Sequence, residues 1–224
     1  MNSKKKNARI AGILYLFFII FSILADQFAN FAQSTTLQVI EKIHSNNQLF
    51  TFGLICNVLS GVFFLLAAWA LYKLLKDVNT DFALLFLLLN LAGVVIQCLS
   101  VVFLYASKEL LIGIIGPNLF NTEQLNFLSE FFIHFYQNGF LVAQVFFGLW
   151  LLPLGILVIK SKFLPKLLGI LLIIDCGAIL LWFFQYFIYP QLIIVTNICL
   201  IISLIAEFGL TFWLILKGTR QETN

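Results

Sequence analysis

Asp175 and Glu207 are the residues of this chain whose type and placement could do chemistry. Each lies in a run of Leu, Ile and Phe long enough to cross a bilayer, about ten residues from the run's basic end. At 1.5 Å per residue both fall about 15 Å deep, near the midplane. An ionised side chain there costs at least ~2.5–3.5 kcal/mol on insertion scales, so its presence points to a role. The two runs share a short connection, which makes their helices neighbours and would let the carboxyls face each other. Two such carboxylates do not both ionise; they leave one protonated acid or a shared proton, as a proton-coupled carrier would use. The rival reading is structural: each acid stays protonated, bonds a backbone carbonyl or an amide, and helps helices associate.

Asn90 is a third intramembrane polar candidate. A looser set (Asn57, Gln97, His134, Tyr136, Gln137, Asn138, Gln144 and Asn197) occupies the half of the spans away from the basic termini. These residues either line a cavity or form interhelical hydrogen bonds averaging ~0.6 kcal/mol each. Small residues at four-residue spacing, Gly53/Asn57/Gly61 and Gly139/Ala143, favour the second. No G-x-S-x-G, Gly-rich phosphate loop or metal-ligand spacing occurs. With two histidines, His44 and His134, zinc and haem sites are hard to assemble. Cys56, Cys98, Cys176 and Cys199 lie inside apolar runs and read as small buried hydrophobes.

The elements that must position these groups follow from composition. The chain is 62% hydrophobic and 10% charged, too apolar to clothe itself in water, so lipid is its solvent. The 26 phenylalanines suit lipid-facing surfaces. Apolar runs at about 9–30, 49–72, 82–106, 131–159, 164–188 and 191–216 predict six transmembrane helices in a single all-α domain over 9–216. A basic N-terminus (1–8) and a tail (217–224) flank it. Lys4, Lys5 and Lys6 before an apolar stretch could open a signal peptide. The run is long for one and no A-x-A site follows, so a retained helix is expected. Lys4, Lys5, Lys6, Arg9, Lys73, Lys76, Lys160, Lys162, Lys166, Lys217 and Arg220 all fall on one side, with Lys42 and Lys108 opposite. By the positive-inside bias both termini are cytoplasmic. The net charge of +3 therefore reports orientation, and nucleic-acid binding is not expected.

In the outer connections, Leu37, Ile40 and Ile43 of "TLQVIEKI" suggest a short surface helix, broken by "SNN" (45–47), which can cap the second span. "GPN" (116–118) marks a turn, and Asn121 and Gln124 have N-cap and N3 spacing, so the fourth helix should begin near Thr122. Pro165 suits the start of the fifth helix. Pro153 lies inside the fourth span, between Trp150 and Gly155, and should kink it by freeing the Leu149 carbonyl. Arg9-x-x-Gly12-Ile13-Leu14 and Lys166-x-x-Gly169-Ile170-Leu171 share a pattern that is compatible with a parallel repeat or with chance.

"ARIAGILYL" (8–16), "LYKLLKDVN" (71–79), "TEQL" (122–125), "AQVFFGLWLLPLGILVIKSKFLPKLLGILL" (143–172) and "AEFGLTFWLILKG" (206–218) resemble, in that order, domain-of-unknown-function family 4386 (DUF4386). The resemblance implies a bacterial inner-membrane protein with six helices, and it carries no reaction, substrate or catalytic residue. Glu207 falls in a family-like block; the position of Asp175 is not typically acidic. The chain departs from the family with Lys162 where "KSGFLPK" has Gly, and with Asp77 where "LLKPVN" has Pro.

The expected function is a non-enzymatic multi-pass membrane protein that binds a small ligand or serves as an accessory subunit. It would contact membrane lipids and need no cofactor or metal. One alternative is a proton-coupled carrier of a small solute using Glu207 and Asp175. A second is a lipid-modifying enzyme using His134 with Glu123 or Glu130, which would have to stand within about 3 Å of each other or share one water.

Overall fold

The computed structural model describes residues 3–29, 35–116 and 119–219. Pro117 and Asn118 of the expected turn, and Arg220, lie outside them. Eight helices follow in order: α1 Ser3–Ala29, α2 Thr36–Ser45, α3 Asn47–Leu75, α4 Thr80–Leu111, α5 Thr122–Leu149, α6 Leu151–Lys160, α7 Lys166–Ile188 and α8 Ile193–Leu216. With α5 and α6 taken as one, six are long and apolar enough to cross a membrane, so this is an all-α, multi-pass membrane protein. At 1.5 Å per residue the 32-residue α4 reaches about 48 Å, longer than the hydrocarbon core, so its ends can hold Asp81 and Lys108 at headgroup level.

Local chemistry sets the boundaries. α5 opens on reciprocal bonds between Asn121 and Gln124 at 3.0 and 2.9 Å, a capping box starting the helix at Thr122. Asn46 accepts from the Leu49 N–H at 3.0 Å and separates α2 from α3. Thr35 and Gln38 form a second capping box, which starts α2. α2 is the short helix that the spacing of Leu37, Ile40 and Ile43 suggested; it buries Val39 and Ile43 and leaves Leu37 exposed. Pro165 is the N-cap of α7. The long fourth span is interrupted at Trp150, three residues before Pro153, and the Leu154 N–H reaches the Trp150 carbonyl only at 3.4 Å. Lys162, in the turn before α7, holds φ +59°, the left-handed region where a Cβ is unfavourable. The glycine of the family pattern at this position fits that conformation without strain.

The helices divide into two compact units. One comprises the chain up to Phe17, Phe63–Val94 and everything from Ala143; the other comprises Phe18–Val62 and Val95–Val142. The second unit closes around Ala29, Ile43, Phe50, Leu104, Ile133 and Tyr136. Glycines let its backbones approach: a Cβ on Gly53 would sit 3.0 Å from the Ala29 nitrogen, and one on Gly139 would collide with Ser100. In the first unit α7 packs on both α6 and α8. α6 and α7 cross glycine to glycine, since a Cβ on Gly155 would lie 2.7 Å from the Gly169 carbonyl oxygen and one on Gly169 2.6 Å from that of Gly155. Gly12 brings α1 onto α8 in the same way, 2.8 Å from Ile215. The two glycines of the repeated pattern thus both serve close helix crossings.

Candidate functional site

The site is built on α7 and α8 of the first unit. α7 buries the stripe Leu168, Leu172, Asp175, Cys176 and Ile179, so helical periodicity turns Asp175 inward, where it is fully buried. α8 carries Ser203, Glu207 and Thr211 at four-residue spacing, a polar stripe on one face of an apolar helix. Its fully buried neighbours Ala206 and Leu210 show which way that part of the helix faces. The Ser203 hydroxyl donates a short hydrogen bond to Asp175 Oδ1. Glu207 lies one turn further along, about 6 Å by helix rise, and interacts electrostatically with Asp175. Ser203, one turn from Glu207, thus brings Asp175 near enough for the two acids to interact electrostatically.

α1 supplies the third wall. From its contact with Leu214 and Ile215 at Gly12, three residues along α1 and one turn back along α8 bring Tyr15 to the level of Thr211 and Glu207. The fully buried Tyr15 engages the Glu207 carboxyl through its hydroxyl. The Trp150 ring stacks on Tyr15 at 6.3 Å, and Phe64 packs edge-on to both, at 5.7 Å from Tyr15 and 4.9 Å from Trp150. The helix interruption that precedes Pro153 thus sits where an aromatic wall backs the acid pair.

Polar atoms here are left over. Asp175 Oδ2, Thr211 Oγ1, the Trp150 indole N–H and both amide atoms of Asn90 are buried without a hydrogen-bond partner among the described residues. Asn90 is fully buried. Phe86, one turn before it, touches Trp150 at 6.2 Å, and Gly93, one turn after it, meets Phe147. Asn90 thereby faces the stretch from Phe147 to Trp150, where Pro153 leaves the Leu149 carbonyl without its helical donor. Among the described residues no lysine or arginine forms an ion pair with Asp175 or Glu207, and no group of three metal-ligating side chains occurs. Such an arrangement can hold a proton between two acids and a phenol, and can accept a hydrogen-bond donor at Asp175 Oδ2.

The other candidates are dispersed. His134 and Asn197 are exposed and Gln144 is half-buried; none bonds another candidate among the described residues. His134 has no hydrogen bond to Glu123 or Glu130. Asn57 and Gln97 pair with each other, Gln97 Nε2 donating to Asn57 Oδ1 at 2.8 Å. The four cysteines are free thiols. Tyr15 and Ser203 escaped the sequence reading. The spacing of Ser203 and Thr211 around Glu207 was a usable signal for the serine; nothing local marked Tyr15.

No curated protein and no solved structure matches the chain. The model of one family, a domain of unknown function, matches residues 10–218. Covered over nearly its whole length, the chain belongs to the DUF4386 family.

Proposed function

We propose that this protein binds a small solute without covalent chemistry and couples that binding to a proton held at Asp175 and Glu207, as a proton-coupled carrier does. The proximity of the two acids, with Ser203 bonded to Asp175 one turn from Glu207, carries this reading. Asp175 on α7, Ser203 and Glu207 on α8 and Tyr15 on α1 face one another between apolar helices, and no cation is among the described groups that interact with either acid, so a proton or a bound donor would offset their charge. The unpartnered Asp175 Oδ2 and the Asn90 amide give a solute polar atoms to bind. The basic connections support cytoplasmic termini, and family membership supports a bacterial inner membrane.

The test uses proteoliposomes loaded with a fluorescent pH indicator and challenged with panels of amines, amino acids and sugars. Wild type is expected to move protons in response to one solute class, and Glu207→Gln to lose that movement. Equal movement in both, or none in wild type, overturns the reading. A second reading is an accessory subunit in which the acids only join α7 to α8. The complete burial of Tyr15 and Trp150 favours it, because neither ring offers a free surface. A lipid-modifying enzyme is less well supported, since exposed His134 has no carboxylate partner.

A further inference from the structure

Lys108, in the last turn of α4, is only 8% exposed, yet no carboxylate pairs with it among the described residues. Its Nζ donates to Thr51 Oγ1 at 2.6 Å. Thr51 gives its own proton to the Asn47 carbonyl at 2.7 Å, so towards Lys108 it acts purely as an acceptor. The Tyr105 ring lies 5.5 Å away and supplies a weak cation–π contact. One of three ammonium donors is thus used, and the positive charge is enclosed without a counter-charge.

A lysine in this position commonly serves its own helix end, where the carbonyls carry partial negative charge. Lys108 does not. The Lys108, Glu109 and Leu110 carbonyls already accept from Ile112, Ile114 and Gly113 at 3.0, 3.0 and 3.2 Å. The side chain reaches instead to Thr51, in the second turn of α3. Lys42 makes the contrast: its Nζ bonds the Gln27 carbonyl at 2.7 Å from a half-buried position, in a bond that solvent reaches. Ser107, next to Lys108 and fully buried, adds a hydroxyl without a partner.

We propose that Lys108 and Thr51 form a binding subsite for a phosphate group, independent of the Asp175–Glu207 site. A phosphate oxygen would take the two remaining ammonium donors as charge-assisted hydrogen bonds and supply the missing negative charge. Lys108 lies three residues from the end of a membrane-spanning helix, the level at which lipid phosphates sit. The phosphate is either that of a lipid headgroup or a free anion from solution.

Thermal unfolding of the full chain in neutral detergent distinguishes these sources, titrated with inorganic phosphate at constant ionic strength and separately with phosphatidylglycerol. Stabilisation of wild type by the lipid alone assigns a headgroup site; stabilisation by both assigns a phosphate site open to solution. In either case Lys108→Met should raise the half-saturating concentration about tenfold or more, as loss of a charged hydrogen bond implies, while Lys108→Arg largely restores it. No response in wild type, or equal responses in wild type and Lys108→Met, overturns the proposal. Should Lys108→Met not fold, Thr51→Val decides: it keeps the charge, a several-fold weaker response is expected, and an unchanged titration overturns the site.

Discussion

Both units contain polar residues within apolar helices, but the two sets are bonded differently. In the second unit Asn57 pairs with Gln97, and the Ser60 and Ser100 hydroxyls each donate to a backbone carbonyl of their own helix at 2.7 Å. Ser107 is the exception, beside Lys108. In the first unit Asp175, Asn90, Trp150 and Thr211 keep buried atoms without partners among the described residues. Position in the sequence does not separate the sets, since Asn90 and Gln97 lie seven residues apart on one helix. What separates them is whether the neighbouring helix offers a partner. A satisfied amide pair joins helices; unsatisfied polar atoms are available to something else.

The sharpest way to break this difference is to damage the frame of the first unit alone. Gly155→Val would drive a side chain into the Gly169 backbone and should cost about 2–3 kcal/mol by overpacking, read from unfolding in mixed micelles. A change under 0.5 kcal/mol would mean that the α6–α7 crossing is looser than drawn. Next, Gln97→Leu strips Asn57 of its donor and should cost about 1–2 kcal/mol. Lys162→Gly relieves a left-handed lysine and should stabilise by about 1 kcal/mol, without altering either set. Asn90→Leu is the finest contrast with Gln97→Leu. It removes no hydrogen bond, so stability should stay within about 0.5 kcal/mol or rise, while solute-coupled proton movement falls. A loss as large as that of Gln97→Leu would show that Asn90 has a structural partner after all.

Features set by local chemistry were legible in the sequence. The six spans follow from apolar length, and the start of α5 from Asn121 and Gln124. That Asp175 and Glu207 lie at similar levels of neighbouring helices follows from counting residues at a fixed rise, and the Ser203–Asp175 bond accords with it. Which face of each helix meets which neighbour was not legible. α1 is apolar nearly all round, so no periodicity could direct Tyr15 towards Glu207; its contact depends on the Gly12 crossing with α8, at the other end of the chain. α2 shows the same limit: the helix was legible from the spacing of Leu37, Ile40 and Ile43, but not that Val39 and Ile43 would be its buried residues. Lys162 shows the opposite case: the departure from the family glycine was visible, but only the backbone angle gives it a physical meaning.

The shared proton can be observed without knowing the solute. In pH-difference infrared spectra of the protein in lipid, wild type should show the carbonyl stretch of a protonated buried carboxyl, and Glu207→Gln and Asp175→Asn should each remove or shift that band. A spectrum without such a band in wild type, or one that both variants leave unchanged, would contradict a proton held between the two acids.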